Sequence, residues 1–133
     1  MTEILDYLAR FCSFLWAGSR YRIVDSAVSP SFGGDAWVTV ASDELRLRFV
    51  RDRGQLMLDV QGPADGKDWY SIDLLRRLIT GERQDSALLD AGYAAFLREH
   101  LARIESLFFP EEAAETRSRL RELKRKRAKE LFG

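Results

Sequence analysis

The chain has 133 residues, 46% hydrophobic and 32% charged, and its 21 basic residues balance its 21 acidic ones. That length suits one domain able to bury a core without staples, and the balance speaks against a disordered chain, a membrane-embedded one, or attraction to nucleic acid by overall charge. A lone cysteine, Cys12, rules out an internal disulfide and leaves a thiolate zinc site without partners.

Ile4, Leu5, Leu8, Phe11, Cys12, Leu15 and Trp16 recur at helical spacing, with Thr2 placed to cap and Gly18 to terminate, and so predict an amphipathic helix of about four turns. The acidic Glu3 and Asp6 within it do not suit a signal peptide, and no stretch approaches the ~20 apolar residues that cross a bilayer. The expectation is a cytoplasmic protein without membrane association. Residues 21–28 then alternate as a strand leading into a loop of turn residues, Ser29-Pro30-Ser31-Phe32-Gly33-Gly34-Asp35.

Residues 36–60 read as a meander with turn pairs at Ser42-Asp43 and Asp52-Arg53. Two-residue turns there place Val40 opposite Leu45, Val38 opposite Leu47 and Ala36 opposite Phe49, then Leu45 opposite Val60, Leu47 opposite Leu58 and Phe49 opposite Leu56. One face is wholly apolar. Strand alternation sends Trp37, Thr39, Arg46, Arg48, Val50, Gln55, Met57 and Asp59 to the other face, with Trp37 opposite Arg48 and Arg46 opposite Thr39 and Asp59.

Gly62 to Asp68 breaks the sheet, and a short helix follows from about Ser71, a plausible cap, to Thr80, closing at Gly81. A stronger helix over 86–108 carries Leu89, Tyr93, Phe96, Leu97, His100, Leu101, Ile104, Leu107 and Phe108 as a wide apolar stripe. From Pro110 onward a last helix has few apolar positions, and Arg127 stands where a seam calls for a hydrophobe; an exposed or protruding helix is expected, with docking over the Trp37 face the alternative. The fold class is therefore α+β: a four-stranded, mostly antiparallel sheet over about 20–60, covered on one face by the N-terminal helix and the 86–108 helix. Residues 1–109 form the globular domain, and 110–133 a charged helical extension.

Chemistry is sparse. His100, the only histidine, and Cys12 both lie on apolar stripes, so a nucleophile and base pair is weighed against two core residues. Residues 62–67 lack the spacing and hydroxyl of a phosphate-binding P-loop. Asp65-Gly66-Lys67 contains the Asp-x-Lys element of metal-dependent nucleases, with Asp59 or Asp52 as a second carboxylate, but sits in a Gly-Pro turn. No cofactor, metal site or catalytic residue is assigned, and no motif places the chain in a family.

Charge is unevenly distributed. Residues 116–133 hold eight Lys or Arg against Glu122 and Glu130. Arg117, Arg121, Lys124, Arg125, Arg127 and Lys129 are candidates for binding nucleic acid or an acidic partner. Trp37, Arg46, Arg48 and Asp59 are candidates for binding a protein, because Trp and Arg dominate interface hot spots. The leading expectation is a non-catalytic interaction protein of the immunity or adaptor type, bacterial on the strength of its size and arginine-heavy basic complement. It binds another protein by the polar sheet face or the basic helix; a nucleic-acid-binding accessory or regulatory protein ranks second and a small metal-dependent nuclease third.

Overall fold

The fold is taken from a computed structural model that describes residues 1–18, 20–29 and 35–132; residues 30–34 of the expected turn loop lie outside the described residues. Helix α1 (Thr2–Phe11) buries Ile4, Tyr7 and Leu8, with Met1 at the cap position in place of the expected Thr2. It stops well before Gly18, because Ser13–Trp16 tightens into a 3-10 turn. With three residues per turn, Cys12 and Leu15 then fall on one side, and both are buried.

Strands β1 (Arg22–Val28), β2 (Ala36–Ala41), β3 (Arg46–Asp52), β4 (Gln55–Gln61) and β5 (Tyr70–Ser71) form an antiparallel sheet in sequential order. The fold is α+β as expected, with one more strand: the two-residue β5 stands immediately before the short helix. The observed register is displaced by two residues from the expected one. Val40 faces Leu47, Val38 faces Phe49 and Ala36 faces Arg51; across the next hairpin Leu47 faces Val60, Phe49 faces Leu58 and Arg51 faces Leu56.

Turn geometry accounts for the shift. The first connection spans Ser42 to Leu45, closed by the Ser42 amide donating to the Leu45 carbonyl at 2.9 Å, with Ser42 Oγ accepting from the Glu44 amide at 3.2 Å. The second turn is Arg53-Gly54, one residue later than expected, with φ of 53° and 79°. Positive φ at both central residues matches the twist of flanking strands, and glycine takes the second without strain. Displacement by two leaves every side chain on its assigned face.

Helix α2 (Ile72–Thr80) follows β5 directly and ends at Gly81 in the left-handed conformation. Helix α3 (Ala91–Leu107) begins five residues after the expected 86, because Asp90 Oδ1 caps it by accepting from the Tyr93 amide at 2.8 Å. The segment before it is held differently, its Leu89 amide donating to the Leu56 carbonyl at 2.9 Å. Ile4, Leu8, Val38, Val40, Leu47, Phe49, Leu58, Val60, Leu97 and Ile104 belong to one buried cluster, so α1 and α3 back the apolar sheet face. Gly62 permits the tightest approach: a Cβ there would lie 2.7 Å from the Phe108 ring.

Helix α4 (Ala113–Phe132) is docked, not protruding. It packs against α2, and Leu120 is fully buried in the common core. Thr116 Oγ1 donates to the Leu107 carbonyl at 2.6 Å, tying α4 to the end of α3. Arg127, where a hydrophobe was missing from the seam, turns inward: its Nη1 lies 2.9 and 2.8 Å from the two carboxylate oxygens of the buried Asp73.

Candidate functional site

The face opposite α1 and α3 is organised in rows by the strand pairings. The first row is apolar: Ala27 of β1, Trp37 of β2, Val50 of β3 and Met57 of β4 stand side by side across four strands. Beside it runs a charged and polar row of Asp25, Thr39, Arg48, Asp59 and Ser71. A third row consists of Arg22, Ala41, Arg46 and Gln61.

Trp37 therefore faces Val50, not Arg48, and Thr39 faces Arg48, not Arg46; Arg48, not Arg46, is the residue opposite Asp59. These corrections follow from the two-residue displacement. They matter because they convert a scattered mixture into an apolar stripe flanked by charge. Trp37 remains 38% exposed, and its indole N–H donates to Asp25 Oδ2 at 3.2 Å. Val50 and Met57 are half-buried, while Arg46 is exposed at the other side of the face.

The middle row is tightly partnered. Arg48 Nη2 lies 3.6 Å from Asp59 Oδ2, and its guanidinium carbon sits 4.1 Å from the centre of the Trp69 ring. Among the described residues, Arg48 Nε is buried without a hydrogen-bond acceptor. Burial pushes the Asp59 carboxyl above its ordinary range, Arg48 pulls against that shift, and Asp73 adds to it. Asp73 accepts a hydrogen bond from Ser71 Oγ and holds Arg127. Through Asp73, Arg127 brings α4 to the β5 end of this face, whereas Thr39 in the middle row is buried and Trp37 is exposed.

The six cationic candidates of α4 divide into two sets. Arg117 Nη1 meets Asp65 Oδ1 at 3.2 Å, Arg121 Nη2 meets Asp68 Oδ2 at 3.4 Å, and Arg127 meets Asp73. These three attach the helix to the 62–68 loop and α2. Lys124, Arg125 and Lys129 make no ion pair among the described residues and lie on the exposed side. Toward the helix end, Arg77 Nη1 and Nη2 donate to Glu130 Oε1 and Oε2 at 2.8 and 3.1 Å.

Asp65 is occupied structurally: Oδ2 accepts from the Gly62 amide at 2.7 Å while Oδ1 takes Arg117. Such a carboxylate shapes a turn. Among the described residues, no group of three or more His, Cys, Asp or Glu side chains is placed to hold a metal. Cys12 is fully buried, and that burial pushes its thiol up to about 12, far from the thiolate a nucleophile needs. His100 lies 4.9 Å from the Phe96 ring, centre to centre. No described helix is long and apolar enough to cross a membrane.

Sequence reasoning placed Trp37, Arg48 and Asp59 on one face but missed Trp69, Asp25 and the alignment of Val50 and Met57 with Trp37. The Trp69-Tyr70 pair was the available signal, since aromatic pairs favour strands. Compared with known families, curated proteins and solved structures, the chain matches none.

Proposed function

We propose that the protein is a non-catalytic interaction module of the adaptor or immunity type, binding a partner protein through the open face of its sheet. The observation that carries this reading is the apolar row Ala27, Trp37, Val50 and Met57, which crosses four strands and leaves a large indole exposed. A solvated face of an antiparallel sheet is ordinarily furnished with polar side chains. An aromatic anchor beside a pre-set arginine is the composition of a binding hot spot. Arg48 is held by Asp59 and Trp69, so ordering it on binding costs little side-chain entropy. With Arg46 exposed at the other side of the face, the complementary surface has an apolar centre and an acidic rim.

Nucleic-acid binding by α4 is the weaker reading, because Arg117, Arg121 and Arg127 are spent on aspartates of the body. Affinity capture from nuclease-treated lysate separates the two. Truncating α4 is unsuitable, since it would uncover the core around Leu120; the contrast is between Trp37→Ala and the triple change Lys124→Glu, Arg125→Glu, Lys129→Glu. Loss of the captured protein with Trp37→Ala, and retention with the triple change, supports the sheet face. Capture abolished by nuclease and by the triple change alone refutes it.

A further inference from the structure

A second surface without a partner is the outer edge of the sheet. β1 is the terminal strand, and among the described residues nothing pairs with its far side. Ile23, Val24 and Val28 are 51%, 42% and 55% exposed. Exposed edges are normally guarded by charge, proline, brevity or a bulge. β1 has seven residues and neither proline nor lysine; its guards are one bulge and two charges.

Its two charges are of opposite sign, and their placement is unusual. The register of β1 on β2 shifts between Ile23 and Asp25, a bulge at Val24. In a regular strand, residues three apart lie on opposite faces. The bulge instead aligns Arg22 with Ala41 and Asp25 with Thr39, both in rows of the open face. Asp25 is steadied there by the Trp37 indole at 3.2 Å, whereas Arg22 has no acidic partner among the described residues.

We propose that β1 pairs antiparallel with β1 of a second copy of this chain, setting Arg22 of each copy against Asp25 of the other and Ile23 against Val24. A two-fold interface is self-complementary, so one oppositely charged couple on one strand is made twice. The sheet then runs continuously through the dimer. A register centred on Asp25 would oppose two carboxylates, which selects against that alternative. This inference is independent of the sheet-face reading, because it concerns the purified chain alone.

The test is sedimentation equilibrium of the full chain at low salt, with Arg22→Asp, Asp25→Arg, and the two together. The wild type is expected to dimerise, each single reversal to raise the dimer dissociation constant about tenfold or more, and the double reversal to restore it. Val24→Lys, on the exposed bulge, is expected to give a folded monomer by circular dichroism. A wild type that stays monomeric at every concentration leaves the edge to a strand from some other protein and overturns the proposal. So does a dimer that the single reversals leave unweakened, or one that the double reversal fails to restore.

Discussion

Arg127 Nη1 sits within 2.9 Å of both carboxylate oxygens of Asp73, joining α4 to α2 across 54 positions of sequence. Asp73 is 5% exposed, and this cation and the Ser71 hydroxyl are hydrogen-bond donors to it. Removing the cation leaves a desolvated carboxylate, which costs more than the pair itself contributes. Arg127→Ala is expected to destabilise the protein by about 2 kcal/mol. Arg125→Ala, on the exposed side of the same helix, is expected to change stability by less than ~0.5 kcal/mol. Urea unfolding of both variants checks the contrast.

The Gly62 and Phe108 contact gives a prediction in the core. A methyl group at 62 would meet the buried Phe108 ring at 2.7 Å, closer than a carbon atom can approach without something shifting. Gly62→Ala is expected to cost about 1–3 kcal/mol by overpacking. Combining it with Phe108→Leu tests the cause: the two changes together should cost less than the sum of each alone. Additive losses would show that the ring is not what Gly62 accommodates.

Asp59 supplies a pH dependence with a definite sign. Its folded carboxyl is raised above the unfolded one, first by burial, so the folded state holds that proton more firmly. The stability linked to this group is full below the unfolded carboxylate range and is lost as pH rises through the folded value. Wild type should therefore gain stability relative to Asp59→Asn as pH falls from neutrality into the carboxylate range. Denaturant midpoints of the two proteins across pH measure this; a difference that moves the opposite way contradicts the desolvation account.

Cys12 reports on core integrity. Its buried thiol, pushed up to about 12, should resist a disulfide exchange reagent at mildly alkaline pH and react fully in denaturant. Immediate labelling of the native protein would mean that the packing of α1 on the sheet opens readily.

Trp37 offers a check on the division between fold and site. Trp37 is 38% exposed, so more than half of it is covered, and among the described residues its indole N–H is held by Asp25; Trp37→Ala should lower stability by about 2–3 kcal/mol, measured by thermal unfolding. A larger loss would make the residue part of the scaffold and weaken its assignment to a binding surface.

The sequence by itself determined which side chains of the meander lie on which face. The alternation of Val38, Val40, Leu47, Phe49, Leu58 and Val60 has period two, so a register error of two residues left every face assignment intact. Which residue sits opposite which depended on the turns at 42–45 and Arg53-Gly54, where a displacement of one turn position changes every pair. Only the tertiary structure decided that Trp37, Val50 and Met57 form a row, that Trp69 stacks on Arg48, and that α4 docks. Helix α4 reads as solvated because its seam contains arginine where neighbours in sequence call for a hydrophobe. Its partners Asp65, Asp68 and Asp73 lie more than fifty residues earlier, and no local pattern links charges at that separation. Local periodicity is written in adjacent residues; ion pairing between distant segments exists only once the chain has closed.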